Sequence, residues 1–259
     1  MSIDIESYRR QLEPFADLDV VSAWVAGSHM HGLADDRSDV DVKLIVAPDA
    51  SDILLQKSDW VRSFHSPDVT VMTPIPFMGQ LLKGSPNTVE ALTADPMLVL
   101  VDHGLLTAFR PIASRLVTGA TVDMALGNAR ANMHMLDRRT DLDDRRRRKL
   151  VAETMRLLQN VEQTCMTGGA WPAMIPANLR MLRGIRDGGI TVPGLGREYE
   201  RVAALSAARW PAPLNGETRE TVESVFVDLI RRIVEGCQES TPIDELVGLL
   251  DEWMGRSRI

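Results

Sequence analysis

Two aspartates one residue apart, Asp39 and Asp41, stand where the chain enters the apolar run Val40 to Val46. In a strand the side chains alternate faces, so both carboxylates point the same way, about 6.5–7 Å apart along the chain. Like charges held that close repel, and one stays protonated unless a cation keeps both ionised. Mg²⁺, or Mn²⁺ in its place, suits such a pair because it takes hard oxygen ligands and completes its shell with phosphates and water. Eleven residues before Asp39, Gly27-Ser28 ends another apolar run, Val20 to Ala26. A small hydroxyl and backbone N–H groups at the start of a helical turn make an anion cradle suited to a phosphate. Gly27 lets the phosphate approach, and Gly32 permits the return toward the second strand. The letters Gly27-Ser28-His29-Met30 match a cleaved-tag remnant, but such remnants sit at a terminus, so this internal one is native.

Other residues extend the pattern. Asp68 stands just ahead of the apolar stretch Val69 to Met72, and Glu90 lies further along. Lys43 shares a strand face with Asp41, which places it either within reach of a phosphate or at the sheet periphery. Lys83, at the end of a short helix, is a candidate nucleotide contact, although cations are favoured there in any case. Lys149 and Arg156 lie seven apart on one helix face and are candidates to close over a triphosphate. The five histidines have no zinc spacing. Cys165 and Cys237 fall in apolar helical patterns and read as core thiols. Trp171, Trp210 and Trp253 read as packing residues.

These residues need strands to aim them and helices to cover them. The periodicity predicts a helix over 5–15, strands over 20–26, 40–46 and 69–72, an ambiguous 53–64, two short helices broken at Gly84-Ser85-Pro86, and a strand over 97–101. Beyond about residue 104 only helices are predicted, near 104–118, 121–138, 146–167, 177–187, 197–208, 217–237 and 242–254. The Gly-rich stretch Arg186 to Glu198 has no Lys-Ser or Lys-Thr after its glycines, so it is a loop and not a P-loop.

Composition bounds the rest. With 259 residues, 44% hydrophobic and 25% charged, the chain has a globular balance and material for a large core. No apolar run reaches membrane-spanning length and the first residues do not read as a signal peptide, so a cytoplasmic protein is expected. A formal charge of −7 disfavours bulk nucleic-acid binding. The run Asp137 to Leu150 interleaves acids with arginines and reads as a solvated helix entrance.

Asp-x-Asp or Gly-Ser alone is a weak signal, but the combination is not. Strand, Gly-Ser, a short turn with a second glycine, then Ser38-Asp39-Val40-Asp41 entering a strand resembles the DNA polymerase beta superfamily of nucleotidyltransferases. Asp68 to Leu92 resembles the superfamily's stand-alone predicted nucleotidyltransferase branch, in which an Asp-x-Thr strand precedes a helix ending Lys-Gly-Asn-Pro-Asn and then Glu-x-Leu. Here Lys83-Gly84-Ser85-Pro86-Asn87 carries serine for the first asparagine. Residues 147–169 and 179–189 also resemble that branch, so the likeness covers about residues 20–190.

The resemblance implies an α+β fold: a nucleotidyltransferase domain over 1–120, with a mixed sheet and flanking helices, followed by an all-helical domain over 121–259, the site lying in the cleft between them. It implies metal-dependent transfer of a nucleoside monophosphate from an NTP such as ATP, with pyrophosphate released. Asp39 and Asp41 would bind Mg²⁺ or Mn²⁺. Asp68 would complete the acceptor-side ion and orient or deprotonate the acceptor. The acceptor is open among an RNA end, a protein and a small molecule. Two alternatives remain: a module that binds a nucleotide or a partner without chemistry, and an antitoxin-like modifier of proteins.

Overall fold

A continuous apolar run makes a good strand only where both of its faces are covered, and every residue from Val20 to Ala26 is buried. The computed structural model describes residues 5–208 and 213–257, so Trp210 lies outside the described residues. In chain order the elements are α1 (Ile5–Leu12), β1 (Asp19–Ala26), the one-turn α2 (Gly27–Met30), β2 (Asp41–Ala47), α3 (Ala50–Leu54), β3 (Val61–Phe64), β4 (Val69–Met72), α4 (Pro74–Leu82), α5 (Pro86–Thr93), β5 (Val99–Asp102) and α6 (Leu105–Phe109). There follow α7 (Gly119–Arg138), α8 (Asp144–Thr167), α9 (Pro176–Asp187), α10 (Leu195–Ala208), α11 (Gly216–Val234), the two-residue β6 (Thr241–Pro242) and α12 (Ile243–Arg256). The fold is therefore α+β. The ambiguous 53–64 stretch contains the end of α3 and the edge strand β3, and β6 is a short pairing that periodicity cannot register.

Strand order is β3-β4-β2-β1-β5, with β6 also paired to β1. The sheet is mixed: β2 and β4 run parallel, while the other neighbours are antiparallel. Ala26 at the end of β1 lies opposite Asp41 at the start of β2, and Val42 lies beside Val69 of β4.

The chain forms two compact units. One comprises Met1–Leu82, Ala94–Pro111 and Glu217–Ile259, the other Lys83–Thr93 and Ile112–Gly216. The division thus returns α11 and α12 to the sheet unit, where a single cut near residue 120 would not. Packing explains the return. On one side of β1, Val20, Ala23 and Val25 share a core with Tyr8 and Leu12 of α1 and Leu246, Val247 and Leu250 of α12. On the other, Trp24 meets Phe77, which meets Phe226 of α11, whose ring stacks on Phe109 at 5.4 Å.

In the second unit α8 packs against α7, α9 and α10. It buries Thr154, Leu157, Leu158, Val161 and Cys165 along one face. Asp143 caps it, accepting from the Arg146 N–H at 2.7 Å. Arg147 donates to the Leu136 carbonyl near the end of α7, and Arg148 to the Arg186 carbonyl near the end of α9. Two arginines of the interleaved run therefore satisfy carbonyls that helix ends leave open. Cys237, read as a core thiol, is exposed, because α11 ends at Val234 before reaching it. Charge is unevenly shared. The second unit has 17 Lys and Arg against 11 Asp and Glu, a net of +6; the remaining 12 and 25 give the sheet unit −13.

If α11 belongs to the sheet unit, Phe226→Ala should destabilise that unit by about 3–5 kcal/mol. Native-state hydrogen exchange should then show faster exchange in β1 and β2 with α8 still protected. Loss of protection in α8 instead would place α11 in the other core.

Candidate active site at one end of the sheet

Antiparallel β1 ends where β2 begins, and β4 begins beside it, so three segments of the predicted motif share one end of the sheet. Gly27 and Ser28 follow β1, Asp41 opens β2, and Asp68 immediately precedes β4. The Val42 N–H donates to the Asp68 carbonyl at 2.9 Å, which fixes the two acidic residues on neighbouring strands. In a parallel pair, residues side by side point to the same face. Burial follows this alternation. Val42, Leu44, Val69 and Val71 are fully buried, whereas Asp41, Lys43, Asp68 and Thr70 are half-buried. Lys43 lies beside Thr70 on β4 and opposite Trp24 on β1.

Asp41 closes over the glycine. A Cβ added to Gly27 would lie 1.5 Å from an Asp41 carboxylate oxygen, and Gly27 has φ +60°. Only glycine meets both conditions without strain. The glycine in the predicted cradle is thus required first by an acidic neighbour. Ser28 is half-buried in the turn, and its carbonyl accepts from the Leu33 N–H at 2.8 Å. A second turn leads to the acids: Asp35 accepts from the Arg37 N–H at 2.9 Å and from the Ser38 hydroxyl at 3.0 Å.

Asp39 is exposed and lies two residues before β2, so strand alternation does not govern its side chain as expected. It nevertheless shares an electrostatic neighbourhood with the other two acids. Tyr8 is 2% exposed and donates to the Val40 carbonyl at 2.6 Å. Burial, and after it the charges of Asp41, Asp39 and Asp68, hold its phenol protonated far above the ordinary tyrosine range. Asp68 also pairs with His65, ring Nδ1 to carboxylate oxygen 3.0 Å, at the surface. Among the described residues no three His, Cys, Asp or Glu side chains form a metal-binding group. The donors nonetheless suit Mg²⁺ in kind, being carboxylate oxygens on adjoining backbone segments.

Sequence alone did not single out the support for this end of the sheet. His29 packs edge-on against Trp253 of α12, centroids 5.3 Å apart, and the indole N–H of Trp253 donates to the Met97 carbonyl at 3.0 Å. Burial lowers the His29 pKa, which favours the neutral ring. The tyrosine had no motif to announce it, because its partner is a backbone carbonyl far along the chain.

Lys83, Lys149 and Arg156 belong to the other unit. Lys83 is exposed in the turn between α4 and α5, and Lys149 is exposed on α8. Arg156 is 4% exposed, with its fork divided between two carboxylates. One nitrogen meets Glu90 at 2.6 Å, and two others meet Glu153 at 2.7 and 2.9 Å. Burial opposes the charge of Arg156, but Glu90 and Glu153 outweigh it and keep the guanidinium protonated. Glu90, 2% exposed, also accepts the indole N–H of Trp171 at 3.2 Å. Trp171 is accordingly a packing residue, and both Arg156 and Glu90 have their partners inside the helical core. Compared with known proteins, the chain matches no protein-family model and no curated protein.

Two substitutions test these arrangements. Gly27→Ala should cost about 1–2 kcal/mol from the left-handed backbone alone, with more from the clash. Because the clash is with Asp41, pairing it with Asp41→Ala should recover part of that loss in urea unfolding. Equal stability of Gly27→Ala and wild type would refute the contact. Arg156→Ala strands Glu90 without its cation and should cost about 3–5 kcal/mol. The double variant Arg156→Met with Glu90→Gln should be far less damaged, read from thermal melts of the helical unit.

Proposed function

We propose that this chain is a metal-dependent nucleotidyltransferase of the polymerase beta type, moving a nucleoside monophosphate from an NTP to an acceptor and releasing pyrophosphate. One observation carries the reading: Gly27-Ser28, Asp41 and Asp68 come from separate stretches of sequence to one end of the sheet, with the Asp41 carboxylate over Gly27. The mixed sheet supports the nucleotidyltransferase fold expected from the motif. Asp39, Asp41 and Asp68 would hold Mg²⁺ or Mn²⁺. When bound, the ions supply charge neutralisation for the phosphates and activation of the attacking oxygen.

The residues of the chain then have distinct tasks. Gly27 keeps side-chain bulk out of the space beside Asp41, and Ser28 offers a hydroxyl to the triphosphate. Lys43, on the face of Asp41 and Asp68, is positioned to offset phosphate charge. Asp68 stands on a different segment from the first two acids and serves the acceptor side, where it orients the attacking hydroxyl or takes its proton. The buried fork of Arg156 favours a role in holding the helical unit together over one in binding nucleotide. Whether the acceptor is an RNA end, a protein or a small molecule is a question for labelling.

The deciding measurements separate binding from transfer. Asp39→Asn and Asp41→Asn should each remove metal-dependent ATP binding in calorimetry while the chain stays folded. Asp68→Asn should bind ATP within a few-fold of wild type yet lose at least roughly two orders of magnitude in transfer, about 3 kcal/mol of barrier. Transfer is read by incubating labelled NTPs with Mg²⁺ or Mn²⁺ in cell extract and following label into RNA, protein and small-molecule fractions. Metal-dependent binding with no label transferred to any fraction would identify a binding module instead.

A further inference from the structure

We propose that Tyr8 is a positioning residue, fixing the Asp39-Val40-Asp41 segment through its hydrogen bond to the carbonyl that lies between the two acids. The role in metal binding rests on the function proposed above; the positioning itself does not. The Val40 carbonyl belongs to the peptide that delivers Asp41, and β2 begins only at Asp41. The phenol thus grips the backbone just ahead of the strand, at 2.6 Å and 32 residues away in sequence. A gripped peptide plane sets the direction in which the next side chain leaves the backbone. The Val40 side chain is itself fully buried in the core that contains Tyr8, so the segment is held by both its side chain and its carbonyl.

Tyr8 is suited to hold and not to react. It is buried, and its hydroxyl proton points at Val40. Burial, and after it the charges of Asp41, Asp39 and Asp68, keep that proton in place, so the hydroxyl remains a donor. Its ring lies in the buried core: Leu12 of α1 and Leu246 and Leu250 of α12 share that cluster, and α1 is further tied to α12 by the 3.5 Å pair Arg9–Asp244. The position of two exposed or half-buried acids is thereby referred to the rigid interior.

Tyr8→Phe removes only the hydroxyl, and Leu12→Val serves as a packing control in the same core. Two readouts are taken on the full chain: Mn²⁺-dependent ATP affinity by calorimetry, and exchange of the Asp41 and Val42 amides. Tyr8→Phe is expected to weaken the Mn²⁺-dependent affinity about tenfold and to speed exchange at both amides, with ATP binding in EDTA unchanged. Leu12→Val is expected to lower the urea midpoint while leaving both readouts at wild-type values. If Tyr8→Phe matches wild type in affinity and exchange, or if Leu12→Val reproduces its effects, the tyrosine is only a core residue and the proposal is overturned. If wild type shows no metal-dependent ATP binding while Tyr8→Phe still loosens the two amides, the functional reading fails and the positioning stands.

Discussion

Strand β1 has no face it can show to water, and most of the sheet unit follows from that constraint. A strand buried on both sides needs two separate covers. Here α1 and α12 supply one, while α4, α6 and α11 supply the other through the Trp24, Phe77, Phe226 and Phe109 rings. With β1 held in the middle, its end is held too, and the Gly-Ser turn leaves the sheet from a fixed point. Antiparallel pairing then brings the start of β2 to that point, and parallel pairing brings the start of β4 alongside. The acids are placed by strand direction before any side-chain interaction acts on them.

Much of this was legible from residue order. Alternation and apolar runs give β1, β2 and β4 to within a residue, because burial of a strand is written in its own side chains. The helices from α7 onward are legible for the same reason. Their partners are not. Val222, Phe226 and Leu229 recur at helical spacing and so mark one face of α11 for burial, but Phe226 carries no mark of Phe109, and so the return of α11 and α12 to the sheet unit is invisible in periodicity. The same limit applies to Arg156, whose place on the polar side of its helix suggests solvent. In the structure Glu90, 66 residues away, draws it inside. Tyr8 shows the limit at its sharpest, since a backbone carbonyl has no letter in the sequence.

The two units also differ in electrostatic character. A sheet unit of −13 concentrates acids, and a helical unit of +6 contains the arginine-rich entrance to α8. The formal charge of the whole chain averages this difference away, and argues only about bulk behaviour. Within the helical unit some of the charge is structural: Arg147 and Arg148 cap neighbouring helices, and Arg156 anchors two carboxylates. A count of basic residues therefore overstates what is offered to any ligand.

The chain order of the sheet unit bears on how it reaches its native state. The helical unit is built largely from consecutive segments, 112–216, and can condense through contacts close in sequence. The sheet unit cannot. Its covers for β1 include residues more than a hundred positions further along, so its core closes only after the intervening stretch has been synthesised and compacted. Until then Phe77 and Phe109 lack Phe226, and Tyr8 lacks the α12 side chains that share its core. The acidic end of the sheet thus depends on covers that come last in the chain, and a chain interrupted during synthesis would lack the α11 and α12 partners of its core.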